Sequence, residues 1–274
     1  MRVQHLDDGT HRIPSSCGTW VICPDTHSAP DDDPEGGIDP WAFNCLLEAL
    51  GHVKPRGFIH IGDVGEWSGA SHWKWSRRSR PPIQYVLSDI ERDAAAVGED
   101  LDLLDSALET AGTKDKLILL GNHDQWVINM TEELADVLDP RFKIENLLRA
   151  KQRNYTLLPY GDYARLGKLS LYHGGHYGGA NFAAAHLRGL RSSVMFGHHH
   201  SVQVASASAL SGGPYRAWSI GCLAKLRKPF MKGKPTNWSH AFAIVHVERD
   251  GNFHVEVVEI VDGVCYVYGK RIKG

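Results

Sequence analysis

The run from Lys116 to Asp124, Lys-Leu-Ile-Leu-Leu-Gly-Asn-His-Asp, constrains this chain more than any other stretch. Its first half, Leu117 to Leu120, is apolar, long enough for a buried strand and too short for a helix. Its second half leaves through Gly121 and at once presents an amide, an imidazole and a carboxylate. In an open α/β sheet, polar groups at the C-terminal end of a buried strand mark the usual place for a site. Asn122 can offer a metal an oxygen, His123 can exchange a proton near neutral pH, and Asp124 can hold His123 in one orientation. Such a strand needs neighbours, and a site needs matching groups at their ends.

The preceding sequence supplies both. Thr19 to Cys23 is a β-branched and aromatic run that ends in Pro24-Asp25-Thr26-His27. Asp25 and His27 are two apart, so on extended backbone their side chains point the same way. After a loop over Asp31 to Pro40, a helix is expected with Asp39 as cap and Pro40 in its first turn. Phe43, Leu46, Leu47 and Leu50 share one face, and Gly51 is the expected stop. Gly57 to Ile61 reads as the next strand and ends in Gly62-Asp63. This order is a parallel βαβ grammar. Gly65 to Pro82 interrupts it with tryptophans, Lys74, Arg77, Arg78 and Arg80, and a single acid, Glu66. Val86 to Gly112 then reads as a helix, with Leu87, Ile90, Ala94, Val97, Leu101, Leu104 and Leu108 at alternating spacings of three and four. Thr131 to Asp139 and Ile144 to Lys151 read as short helices beyond the Gly-Asn-His-Asp run.

From Tyr155 the pattern changes. Strands are expected over Tyr155 to Pro159, Lys168 to Tyr172, Ser193 to Phe196, Val202 to Ala207, Tyr215 to Ile220, His240 to Val247, Phe253 to Val261 and Val264 to Lys270. Asp250-Gly251 and Asp262-Gly263 are hairpin turn signals, and only Asn181 to Leu190 reads as helix. One domain over residues 1–274 is expected: an α/β part at 14–200 that bears the motifs, and mainly antiparallel strands at 201–274 that complete it. A composition of 42% hydrophobic and 23% charged residues suits a globular chain with a sizeable core. The five cysteines are odd in number and form no C-x-x-C pair, which argues against a disulfide scaffold or a cysteine-bound zinc. Met1 to Pro14 is polar, and no apolar run approaches the ~20 residues of a membrane span, so a cytoplasmic location is expected.

Five strand ends thus carry, in order, Asp25-x-His27, Gly62-Asp63, Gly121-Asn122-His123-Asp124, His173-Gly174 and Gly197-His198-x-His200. The series resembles the calcineurin-like metallophosphoesterase superfamily, whose pattern is D-x-H, G-D, G-N-H-[DE], H and G-H-x-H. The resemblance covers Asp25 to His200, and the compact style with a short helical excursion is similar to that of phage-borne members. It implies two packed mixed β-sheets flanked by helices, a four-layer α-β-β-α sandwich. It also implies two cations ~4 Å apart that clamp the attacking and leaving oxygens of an in-line displacement. On that pattern Asp63 bridges the ions, Asp25, His27 and His200 complete one site, and Asn122, His173 and His198 complete the other. Mixed imidazole and carboxylate ligands favour transition metals, Mn foremost, with Fe, Zn, Co or Ni as alternatives. A water between two such ions would be ionised near neutral pH and attack phosphorus, while His123, oriented by Asp124, protonates the leaving oxygen.

Other histidines compete for these roles. His176 is an alternative to His173, which directly ends its strand and precedes glycine as the family does; His176 is then a candidate for the substrate side. His199 occupies the variable position and should point away; His60 should be a packed histidine, and His186 and His240 structural or surface groups. One departure bears on substrate. Many protein phosphatases of the superfamily follow Gly-Asp with two residues and then Asp-Arg, where the arginine grips phosphate. Here Gly62-Asp63-Val64-Gly65-Glu66-Trp67 has no arginine, so another cation must hold the phosphate. With a net charge of -2, any nucleic-acid affinity must come from local patches. Two basic, aromatic-bearing segments qualify: one with Arg77, Arg78 and Arg80, the other with Lys225, Arg227 and Lys228. Cations pair with phosphates and aromatics stack on bases, so single-stranded nucleic acid is a candidate partner, against the plainer reading of both as solvated surface. The expected activity is a two-metal phosphoesterase leaning to phosphodiesters of nucleic acid or nucleotides. Its alternatives are a phosphomonoesterase on phosphoprotein or small phosphates, and a metal-binding scaffold without turnover.

Overall fold

The computed structural model describes residues 3–71, 79–134, 138–208, 210 and 213–274. Its first half runs β1 (Gln4–His5), β2 (His11–Arg12), β3 (Gly18–Cys23), α1 (Pro40–Val53), β4 (Gly57–His60), α2 (Ile83–Ala111), β5 (Asp115–Leu119) and α3 (Asn122–Glu133). Then come α4 (Ile144–Leu147), β6 (Thr156–Leu158), β7 (Ala164–Leu166), β8 (Leu169–Tyr172), α5 (Phe182–Leu190) and β9 (Val194–Phe196). The chain closes with β10 (Val202–Ser208), β11 (Pro214–Ile220), β12 (His240–Val247), β13 (Phe253–Ile260), β14 (Val264–Val267) and β15 (Lys270–Lys273).

Two mixed sheets and a two-stranded one, β14-β15, result among the described residues. One has the order β13-β12-β3-β4-β5-β6, with β3 to β6 mutually parallel and β12 antiparallel to β3. The other has the order β1-β2-β7-β8-β9-β11-β10, with β8, β9 and β11 parallel. Because side chains alternate along a strand, each sheet serves two cores. Trp20, Ile22, Leu117 and Leu119 of the first sheet meet Leu169, Leu171 and Met195 of the second between the sheets. Val21, Cys23, Phe58 and Ile118 face the other way, onto α1 and α2. Tyr172, Val194 and Phe196 pack outward against Ala183 and Leu187 of α5. The layers are therefore α-β-β-α, as expected. Burial on both faces is why β3 and β5 read as continuous apolar runs rather than alternating ones.

Several boundaries differ from expectation. Helix α1 runs through Gly51 to Val53 and ends at Lys54, whose left-handed backbone (φ 48°) lets its N–H bond Leu50 O. A mid-helix glycine costs only about 1 kcal/mol, which the buried Leu46, Ala49 and Leu50 outweigh. Helix α3 begins at Asn122 itself, because Asp124 Oδ2 accepts the Gly121 N–H at 2.8 Å and starts the first turn, so a helix from Thr131 is displaced toward the N-terminus. Residues 135–137 of that expectation lie outside the described residues. Val264 to Lys270 is not one strand but the start of a hairpin, turning at Tyr268-Gly269. The closing strands pair mainly antiparallel and are shared between the sheets: β12 and β13 extend the first, β10 and β11 the second, where β11 runs parallel to β9, and β14 and β15 form a hairpin of their own. Among the described residues, no helix is long and apolar enough to cross a membrane.

Candidate metal centre

Strands β3, β4 and β5 run parallel in one sheet and β8 and β9 in the other, so their C-terminal ends deliver side chains to one edge of the sandwich. Two clusters form there. In the first, His27 Nε2 and His200 Nε2 are 3.0 Å apart, and Asp25 Oδ2 lies 3.1 Å from His200 Nε2. In the second, Asn122 Oδ1 is 3.0 Å from His173 Nε2 and 2.8 Å from His198 Nδ1. Asp63 Oδ2 stands between them, 3.6 Å from His27 Nε2 and 3.4 Å from His173 Nε2. All seven expected ligands are thus brought together, with Asp63 between the two clusters.

This donor set fits two metal ions. Ligand atoms held about 2.1 Å from one ion lie roughly 3–3.4 Å from each other, and the contacts here run from 2.8 to 3.9 Å. His27, Asp25 and His200 offer atoms within 4.8 Å of one another, as do Asp63, His173 and His198. Two imidazole Nε2 atoms and a carboxylate oxygen in mutual contact are also an awkward hydrogen-bonding trio, since only ring N–H groups donate. Three lone pairs turned on a cation resolve it.

The backbone is shaped for this convergence. His27, Asp63, His198 and His200 all adopt left-handed conformations, with φ between 48° and 65°. Such backbone costs of order 1 kcal/mol or more per residue and persists only where surroundings impose it. Here the loops are laced together: His27 N–H donates to Asp63 O, Gly197 N–H to His173 O and Ser239 N–H to His200 O, at 2.8 to 2.9 Å. His27 is therefore not on extended backbone, and the shared direction expected for Asp25 and His27 is replaced by this turn. The motif glycines allow close approach. A Cβ at Gly121 would collide with the Asp63 carboxylate, and one at Gly197 with that of Asp25.

Electrostatics suit cation binding. Burial would raise the carboxyls of Asp25 and Asp63, but neighbouring histidines hold both well below the usual carboxylate range. Burial pushes His27 and His198 down to about 4, so both are neutral and carry lone pairs at neutral pH. His173 is opposed by burial, yet the charge of Asp63 and a hydrogen bond to it carry the ring up to about 9. A metal at His173 must therefore displace a proton.

The catalytic pair expected at 123–124 is rearranged. Asp124 is buried and faces away from His123: its Oδ1 accepts the Trp67 indole N–H at 2.9 Å, and its Oδ2 the Gly121 N–H. Burial, then the charge of Asp63, raise its carboxyl to about 6. It caps α3 instead of orienting His123. That task falls to Glu66: His123 Nδ1 is 2.7 Å from Glu66 O and 3.7 Å from Glu66 Oε1. The Glu66 carboxylate also lies 3.0 Å from His27 Nδ1, off the line of a hydrogen bond, and 3.0 Å from Lys228 Nζ. His27, Glu66 and His123 converge as a third group, but Lys228 and the peptide carbonyl already occupy it, so it braces the ligands.

In motifs and in layers, the chain is similar to the calcineurin-like metallophosphoesterases. No protein-family profile matches it. The Gene 54 protein of Mycobacterium phage D29 is 27% identical over 253 residues, spanning 84% of this chain and 92% of that protein. The Gene 54 protein of Mycobacterium phage L5 is 26% identical over 249 residues, spanning 85% and 92%. Among solved structures, Vps29 of Chaetomium thermophilum aligns over 93% of this chain and 96% of its own, at 10% identity and a TM-score of 0.46. TT1561 of Thermus thermophilus aligns over 88% and 98%, at 10% identity and a TM-score of 0.33.

The remaining expectations divide. His176 is exposed beside the rings of Tyr163 and Tyr172 and is absent from the metal clusters, which leaves the role to His173. His60 bonds Thr26 and the Gly62 N–H, His186 stacks on Phe196, His199 stacks on Phe182, and His240 bonds Ala224 O. Arg80 is exposed, and Arg77 and Arg78 lie outside the described residues. Lys225 lines a cavity of 480 Å³ beside α1 and α2, and Arg227 is exposed on a different pocket. Among the four described residues of this set, Lys228 alone reaches the centre, through its buried contact with Glu66. The spacing Asp63-x-x-Glu66 was the sequence signal for Glu66. Lys228 has no local signal, because its partner lies 162 residues away.

Proposed function

We propose that this protein is a two-metal-dependent phosphoesterase that prefers phosphodiesters of nucleic acid or nucleotides. The observation that supports it is the pair of ligand clusters joined by Asp63, with His123 on the first turn of α3 beside them. Asp25, Asp63, His27 and His200 would hold one ion, and Asp63, Asn122, His173 and His198 the other. When bound, two divalent ions would supply an ionised water and neutralise charge on the phosphate. The protein's part is to fix these ligands, exclude competing hydrogen bonds and manage the leaving-group proton. A hydrogen bond from His123 Nδ1 to Glu66 O sets the tautomer and leaves Nε2 free to take up a proton, which the resulting imidazolium can then give to the leaving oxygen.

Charge favours a diester. Trp67, where the resembling phosphatases carry arginine, is fully buried and bonded to Asp124. Lys228 brings one positive charge to the cleft, already countered by Glu66. A phosphodiester monoanion needs less cationic help than a phosphomonoester dianion. The test is turnover of bis-p-nitrophenyl phosphate against p-nitrophenyl phosphate with Mn, with Asp63→Asn as control. Diester turnover lost in Asp63→Asn together with at least one bound ion is expected. Preference for the monoester would transfer the reading to a phosphomonoesterase, and metal binding without turnover of either would make the protein a scaffold.

A further inference from the structure

The indole of Trp238 stands against the metal centre. Its ring centroid is 4.2 Å from that of His200 at an interplanar angle of 68°, so it meets this ligand edge to face. The following residue anchors it there: Ser239 N–H donates to His200 O, and Ser239 Oγ accepts the Val202 N–H. The same indole forms a wall of two cavities, one of 480 Å³ and one of 680 Å³. Arg227, Lys228 and Lys234 also line the first, which is therefore the side suited to phosphate; the second sets Asp39, Glu259 and Asp262 against one lysine, Lys273. Lys228 Nζ lies 6.0 Å from the centre of the indole ring, and the exposed Phe230 adds a second ring at 6.4 Å.

A flat aromatic wall, cations along one side of it and a candidate metal ligand, His200, at its edge together suit the chemistry of a nucleotide. A base has a π-face to stack on the indole, and its backbone phosphates suit the lysines and arginine. Simple alkyl phosphates would leave the indole without a partner. We propose that Trp238 is the stacking wall of a nucleobase subsite beside the metal centre, so that the phosphodiester taken here is a nucleotide ester. This rests on the phosphoesterase reading above and names the substrate class for it. Trp238 acts as a specificity-determining residue: it holds the base and takes no part in bond breaking.

The experiment compares two esters with the same leaving group on Mn-loaded protein: thymidine 5′-(p-nitrophenyl phosphate) and methyl p-nitrophenyl phosphate. The parent protein should favour the nucleotide ester in kcat/KM, chiefly through KM. Trp238→Ala should reduce that preference roughly tenfold or more, the range found when a base loses an aromatic partner. Trp238→Phe should restore most of it, and Trp238→Leu, which keeps bulk against His200 but has no π-face, should not. Calorimetric binding of thymidine 5′-monophosphate should weaken by the same factor in Trp238→Ala, relative to inorganic phosphate. Equal losses on both esters, or full selectivity in Trp238→Leu, would overturn the subsite and make Trp238 a packing support for His200. If the parent cleaves neither ester, the phosphoesterase reading fails. The calorimetric comparison then decides the base subsite alone, and binding of the nucleotide no tighter than phosphate would sink it.

Discussion

Glu66 touches His27, His123 and Lys228, and a double-mutant cycle with Lys228 measures the strength of one of these links. Both side chains are buried, with 11% and 3% of their surface exposed, and Lys228 Nζ is 3.0 Å from Glu66 Oε2. Removing one partner of a buried pair costs about 3–5 kcal/mol because a charge is left behind. Glu66→Gln keeps an amide oxygen for the ammonium, and Lys228→Met keeps bulk against Trp238, so about 2–4 kcal/mol is expected for each. In the double variant neither charge is stranded, and its cost should fall short of the sum by about 2 kcal/mol. The assay is denaturant unfolding of chelator-stripped protein at pH 7. That pH is set by linkage. Burial alone would raise the Glu66 carboxyl, but His27, His123 and Lys228 outweigh it and bring it to about 2. A depressed acid gives stability that is fully present above its unfolded value of about 4.5 and is lost as pH falls toward 2. Additive single costs would refute the coupling.

The same substitution has a metal signature. Glu66 lies 3.0 Å from Nδ1 of His27, whose Nε2 faces the first ligand cluster. Loss of such an outer contact to a ligating histidine weakens metal affinity about 10–100-fold. Titration of Mn into Glu66→Gln should therefore show one weakened site, the one that contains His27, and one close to parent. Two unchanged sites would mean that Glu66 holds His123 and Lys228 but leaves the His27 ring to the fold.

Two further outcomes follow from particular groups. If His123 protonates the leaving oxygen, His123→Asn should lower kcat by about 10²–10⁴ for a diester with an alkyl leaving group, and much less for p-nitrophenolate; equal losses on both would make it a binding residue. Asp93, in the buried stripe of α2, has an Oδ2 without a hydrogen-bond partner among the described residues, and burial with the charges of Asp33, Glu66 and Asp89 raises its carboxyl to about 8. An acid raised in the folded state costs nothing below its unfolded value and destabilises increasingly as pH climbs from there to the folded value. Asp93→Asn should therefore gain stability between about pH 4 and pH 8, approaching roughly 4 kcal/mol in metal-free protein near neutrality; a gain independent of pH would refute the assignment.

What could be read from the chain divides by the range of the interaction that decides it. The strands, the α2 stripe and the ligand identities are local: Leu117 to Leu120 is apolar because both faces are covered, and Asp63, Asn122 and His173 each stand where a strand ends. The return of β12 to pair with β3 is not local, since nothing in His240–Val247 states whether its partner is Thr19 or a neighbouring hairpin. The same limit explains the error at Asp124. Adjacency to His123 suggested an orienting carboxylate, but successive residues on a helix point about 100° apart. On the first turn of α3, Asp124 is directed back to the Gly121 N–H and the Trp67 indole, while His123 turns toward Glu66. The orienting group is thus supplied by the loop after β4, three residues beyond the bridging carboxylate. That places the support for His123 and the link between the two ligand clusters on one short, strained turn, with Asp63 and Trp67 both at φ 49°. A substitution that relaxes this turn should disturb metal binding and proton transfer together.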